Sequence, residues 1–144
     1  PTPMTDRDPL LAPFEALIGT WSTEAKHRLV DEVVSGSATF EWLEGEKFLI
    51  HRSRNDHPDA PDSVSIIGAP DGGELAMYYF DSRGVHRVYR MAISDNEWTL
   101  SRDHPGFSQH FIGKMDGGMI AGLWQLSRDG QTWDEDLAIT FIRR

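Results

Sequence analysis

The run MYYFDSRGVHRVYRM, residues 77–91, reads as two strands around a turn. Met77 and Tyr79 share one side of the first strand, and Val85, Arg87, Tyr89 and Met91 share one side of the second, because successive strand side chains point to opposite faces. Arg83-Gly84 supplies the turn, with glycine taking the positive φ that a tight reversal needs. The same punctuation recurs on either side of this hairpin, at Glu44-Gly45-Glu46, Asp71-Gly72-Gly73, Asp95-Asn96, Pro105-Gly106, Asp116-Gly117-Gly118 and Asp129-Gly130. From Gly72 onward the turns fall about 8 to 12 residues apart, the spacing of consecutive antiparallel strands. A Pro/Asp-rich loop from Asn55 to Asp62 splits the one longer interval.

Period-two alternation assigns an interior face to each run. Ala38, Phe40 and Trp42 share a side, then Phe48, Ile50 and Arg52, then Trp98, Leu100 and Arg102, then Phe107, Gln109 and Phe111. Ile120, Gly122 and Trp124, and finally Leu137, Ile139 and Phe141, continue the pattern. Leu49, Ile67 and Ile112 fall on the wet side and leave room for a homodimer through an outer sheet face. The expected fold is all-β, a closed antiparallel up-and-down barrel of about ten strands, since closure removes the exposed edges of so long a meander. A short helix precedes it, with Asp8 as cap, Pro9 in the first position and Leu10, Phe14, Leu17 and Ile18 at helical spacing up to Gly19; it is expected to plug one end. Residues 1–7 read as a loose tail, and 1–144 as a single domain.

Composition narrows the function classes. A formal charge of −9 repels phosphate backbones and anionic headgroups, so neither nucleic acid nor a membrane is an expected partner. The absence of cysteine removes thiol nucleophiles and thiolate metal sites, and with no apolar run of membrane-spanning length the expected location is the cytoplasm.

The helix leads directly into Gly19-Thr20-Trp21, which resembles the Gly-x-Trp signature on the first strand of calycins, the superfamily of lipocalins and fatty-acid-binding proteins. The resemblance implies a barrel in which a basic side chain near the chain's end packs on that tryptophan, a place open to Arg143 or Arg144. The segments 42–50, 80–85 and 105–109 look most like the bacterial nitrobindin-like and uncharacterised lipocalin-like group. Nitrobindins bind haem through a histidine beyond the final part of the barrel. The last histidine here is His110, so no cofactor is expected and haem stands only as an alternative.

Arg52, Arg87 and Arg102 fall on interior faces, where a guanidinium needs a carboxylate, a carbonyl, water or a ligand. Arg87 and Tyr89 project the same way, ~7 Å apart along one strand, and resemble the Arg-x-Tyr pair with which fatty-acid-binding proteins hold a carboxylate. The expected function is therefore binding of a small hydrophobic or amphipathic molecule, its anionic or polar head at Arg52, Arg87, Tyr89 and Arg102. Phe40, Trp42, Tyr79, Trp98, Gln109, Phe111 and Trp124 would line the rest of the site. The alternative for the arginines is pairing with Glu44, Asp81 or Glu135. An isomerase, cyclase or hydratase in the same cavity would use Tyr79, Tyr89 or His104 for proton transfer, with Tyr89 and His104 as the candidate catalytic residues. His51, His86 and His110 read as solvated. Ser108 and His110 share an outward face without an acidic partner, and no His-x-His or HExxH pattern suggests a metal.

Overall fold

The computed structural model describes residues 9–94 and 96–144; the tail 1–7, the Asp8 cap and Asp95 of the Asp95-Asn96 turn lie outside them. A short 3-10 helix, Pro9–Leu17, leads into ten strands: β1 Gly19–His27, β2 Val34–Trp42, β3 Leu49–Asn55, β4 Ser63–Gly68, β5 Ala76–Asp81, β6 His86–Ile93, β7 Glu97–Arg102, β8 Ser108–Asp116, β9 Met119–Ser127 and β10 Asp134–Arg143. Each pairs antiparallel with the next, and β10 returns to β1, closing the barrel. The hairpin 77–91 becomes β5 and β6, with Tyr79 opposite Arg87 and Met77 opposite Tyr89.

The helix seals the end at which β1 begins and β10 finishes. Leu11, Phe14 and Leu17 are buried to 1% or less while Leu10 is 52% exposed. A 3-10 helix has about three residues per turn, so positions 11, 14 and 17 stack along one line and Leu10 drops off it. That corrects the stripe through Leu10 expected from α-helical spacing. The helix is pinned from the barrel side: the Trp21 indole N–H donates to the Leu17 carbonyl at 2.9 Å, and Arg143 donates to the carbonyls of Ile18 and Ala16. Arg143, rather than Arg144, lies over the Trp21 ring, 4.2 Å from its centroid, and the two residues are cross-strand partners. Gly19 has a φ of 130°, and a Cβ there would come within 3.1 Å of the Arg143 guanidinium. Small size and backbone freedom at this one position let the arginine reach the helix.

The interior face of β3 is shifted by one residue from the expected one. Leu49 and His51 point inward, at 0% and 9% exposure, and Arg52 points out to an ion pair with Glu41. Directly opposed residues of an antiparallel pair share a face. The long turn after β2 sets Trp42 opposite Leu49 and Phe40 opposite His51, so the inward set of β2 dictates that of β3. The same ladder carries Ile67 inward, opposite Leu49. Leu49 and Ile67 are therefore core, and of the three residues expected on the wet side only Ile112 is exposed. Ile50 and Arg52 are correspondingly removed from the interior, and His51 from the solvated set.

Gly113 and Gly122 face each other across β8 and β9, and the Phe111 ring lies over both. A Cβ on Gly122 would sit 2.6 and 2.7 Å from atoms of that ring. Since Phe111 is packed against Trp98 and Trp124, it has nowhere to retreat. Gly122→Ala is expected to destabilise the barrel by about 1–3 kcal/mol, as overpacking does, seen as a lowered urea midpoint with an unchanged slope.

Candidate functional site

The barrel is filled unevenly along its axis. Behind the helix, Phe40 stacks on His51 with ring centroids 4.2 Å apart, and Trp98 meets Phe40, Phe111 and Phe141 at 5.9, 5.0 and 6.3 Å. Phe40, Trp98 and Phe111 are each at most 2% exposed. These residues form a solid floor instead of walls around a ligand. Toward the other end, β1 to β4 turn small side chains inward, among them Thr23, Ser53 and Ser65, while the opposite wall carries Tyr79, Arg87, Tyr89, Gln109 and Trp124. Small residues thus face large polar ones at this end of the barrel.

Three of the expected head-group residues meet there. The Tyr89 hydroxyl donates to the Gln109 amide oxygen at 3.0 Å, and the Arg87 guanidinium donates to the same oxygen at 3.4 Å. Arg87 also lies over the Phe107 ring, 5.3 Å from its centroid. Arg102, opposite Gln109 in the β7–β8 ladder, donates to the Phe107 carbonyl at 3.3 Å. Among the described residues neither Arg87 nor Arg102 has a carboxylate within ion-pairing distance. A guanidinium offers five N–H donors, and the oxygens these two meet, on Gln109, Tyr89 and Phe107, are all neutral. Glu44, Asp81 and Glu135, the carboxylates that could have paired with the interior arginines, leave both of them unneutralised.

Asp81 is committed elsewhere. One of its oxygens accepts from the Tyr79 hydroxyl at 2.7 Å and from the Arg83 side chain at 2.6 and 3.1 Å; the other accepts the backbone N–H groups of Arg83 and Val85. Burial alone would raise this carboxyl, but the donors outweigh it and hold it far below the carboxylate range. Tyr79 is pushed well above the ordinary phenol value, by burial first and then by the hydrogen bond to Asp81. Burial also raises Tyr89, opposed by the Arg87 hydrogen bond and by the charges of Arg87, Arg102 and Arg83. Both phenols are thus proton holders near neutral pH, suited to donating hydrogen bonds and unsuited to acting as bases.

The remaining candidates separate from this cluster. Arg52 is outside the barrel, Trp42 packs partly buried against the closed-end core, and His104 is exposed on the β7–β8 turn. Ser108 is buried instead of outward, its hydroxyl exchanging hydrogen bonds with the backbone of His104, so it is a turn cap. His110 stacks on Trp133 at 3.8 Å. His51 is the one buried histidine among the described residues, wedged between Phe40 and Trp98 with Nδ1 on the Thr39 carbonyl. With its ring covered, His51 has no open side for a haem. Two features were missed from sequence: the Asp81–Arg83 clamp, signalled by Asp81-Ser82-Arg83-Gly84 as an Asx turn, and the burial of His51.

Among solved structures the chain is similar to the crystal structure of Rv2717c from M. tuberculosis, with a TM-score of 0.69 and 15% sequence identity over 96% of this chain and 99% of that one. At that identity the likeness shows the fold alone. No protein-family model and no curated protein matches the chain.

Burial lowers the His51 pKa from 6.5 to about 4, partly offset by the bond to Thr39. Between those values the unfolded chain binds a proton that the folded one refuses, so stability is full above pH 6.5 and falls as pH drops toward 4. The shift corresponds to about 3 kcal/mol. His51→Phe, which keeps a ring against Phe40, is expected to remove that part of the acid lability, read as the difference between wild-type and variant urea midpoints at pH 7.5 and pH 4.

Proposed function

We propose that the protein is a calycin-like binding protein for a small amphipathic anion, held head-first in the cup above the aromatic floor. The observation that carries this reading is Arg87: a half-buried guanidinium in contact with a neutral amide oxygen and an aromatic ring and, among the described residues, with no carboxylate partner. A carboxylate or similar head would replace the Gln109 contact with charge-assisted bonds to Arg87 while accepting from the Tyr89 hydroxyl. Gln109 can turn its amide to donate to the same head, since the group carries both functions. Phe107, Trp124 and Tyr79 supply the apolar surround, and the filled closed end limits the ligand to a compact body. The nitrobindin-like resemblance is kept for the barrel and dropped for haem.

The charge of the head decides the test. A charge-assisted hydrogen bond contributes about 1.5–3 kcal/mol, so Arg87→Gln is expected to weaken decanoate roughly tenfold to hundredfold and decanol less than threefold. Titration followed by tryptophan fluorescence, with Trp124 on the cup wall as reporter, measures both. Equal loss for the two ligands would rule out a charge-reading role.

A further inference from the structure

The outer wall over β8, β9 and β10 is apolar where a barrel ordinarily meets water. From Met119 to Trp124, β9 has no polar side chain on either face. An antiparallel sheet wetted on one side alternates apolar with polar along each strand, whereas a strand covered on both sides does not. The outward residues of this stretch, Met119, Ala121 and Leu123, are flanked by Ile112 of β8 and by Ala138 and Ile142 of β10. Ile112, Met119 and Ile142 are each at least 40% exposed. Because the barrel is closed, the face offers no strand edge, and a partner has to pack flat against it.

The ladders fix the layout of the face. In its middle row Lys114 of β8, Ala121 of β9, Thr140 of β10 and Glu24 of β1 stand side by side. Lys114 and Glu24 are therefore equidistant from a line drawn between β9 and β10, and about 14 Å from each other. Among the described residues neither has an ion pair. A twofold axis along that line lays a second copy face to face on the first, β10 over β9 and β1 over β8. Lys114 of each copy then meets Glu24 of the other, so the pair forms twice. In the row on one side Leu123 falls on Ala138, large upon small. In the row on the other, Met119 falls on Ile142 and Asp116 on Ser22. Lys26 faces Ile112 with its methylene stem, since its ammonium is bent away to the carbonyls of His27 and Val30. Glu97, beside Lys114 on β7, falls on Ser35 of β2. Within these rows no like charges oppose each other. Turning the axis across the strands instead would set Lys114 against Lys114 and Ile112 against Asp116, so the charges select one arrangement.

We infer that the protein pairs with a second copy of itself through this face, as a twofold dimer centred on the β9–β10 ladder. The inference is independent of the anion-binding reading. Ile112, the one exposed residue of the three that suggested a dimer from sequence, lies in the interface. The interface also crosses the seam where β1 meets β10, so each copy covers the closure of the other.

Sedimentation velocity from about 2 to about 200 µM tests the dimer, since its population follows protein concentration. The wild type is expected to reach twice the 16.3 kDa chain mass within that range. Lys114→Glu and Glu24→Lys each bring like charges together twice and are expected to weaken the dimer at least about tenfold. Mixed one to one, the two variants regain opposite charges at both contacts, and the mixture is expected to return to within about threefold of the wild-type dissociation constant. A variant that had failed to fold could not be rescued by mixing. Phe80→Lys, on the exposed outer face of β5, is expected to leave the dimer unchanged. A wild type that stays monomeric throughout, a charge variant as dimeric as the wild type, or a mixture without rescue would overturn the inference. So would dissociation by Phe80→Lys.

Discussion

A meander of strands becomes a container only where its first and last strands meet, and Arg143 stands at that seam. It is the cross-strand partner of Trp21, covers the indole with its guanidinium, and donates to two carbonyls at the end of the 3-10 helix. One side chain thereby joins the last strand, the first strand and the plug. The cation over the ring contributes only on the order of 1 kcal/mol, so its importance is geometric. The carbonyls at a helix end have no partners within the helix, and Arg143 satisfies two of them while fixing the helix across the barrel mouth. With that end stoppered, the rings of Phe40, His51, Trp98, Phe111 and Phe141 pack beneath it.

The fold was legible because turn chemistry and two-residue alternation are local properties. Arg83-Gly84 and Asp116-Gly117-Gly118 each connect strands in the structure, and the interior faces of β2, β5, β6, β7 and β8 agree with alternation read from the letters. The failure at β3 has an identifiable cause. Phe48-Leu49-Ile50-His51 contains apolar residues on both faces, so alternation alone cannot choose between them. The choice is made by the register against β2 and β4, a non-local fact. Phe48 itself lies against Gly68, where a Cβ would come within 2.4 Å of its ring, and this site for the ring lies outside the strand.

The site was legible in part for the same reason. Arg87, Tyr89 and Gln109 lie on strands whose faces were read correctly, and their meeting follows from barrel closure bringing β6 and β8 together across β7. The floor was not legible: nothing in the sequence distinguishes an aromatic ring lining a cavity from one packed against another ring. Phe40, Trp98 and Phe111 proved to be the second kind.

The Asp81–Arg83 clamp gives the unpaired arginines their meaning. Asp81 is the carboxylate on the strand beside Arg87, and a free carboxylate there would neutralise the guanidinium and abolish any preference for an anion. Instead its two oxygens are taken by the Tyr79 hydroxyl, the Arg83 side chain and two turn amides. Burial, and after it the bond to Asp81, keeps Tyr79 protonated, so no phenolate competes for the cation. In a chain of net charge −9 the field over most of the surface repels anions, and screening confines that repulsion to roughly 8–10 Å at ordinary ionic strength. Beside Arg87 the nearest acidic group in the ladder, Asp81, stays ionised, and its charge is offset by the Arg83 guanidinium. On the proposed reading, the positive charge of Arg87 owes less to the presence of an arginine in the barrel than to the pairing of the neighbouring Asp81 with Arg83.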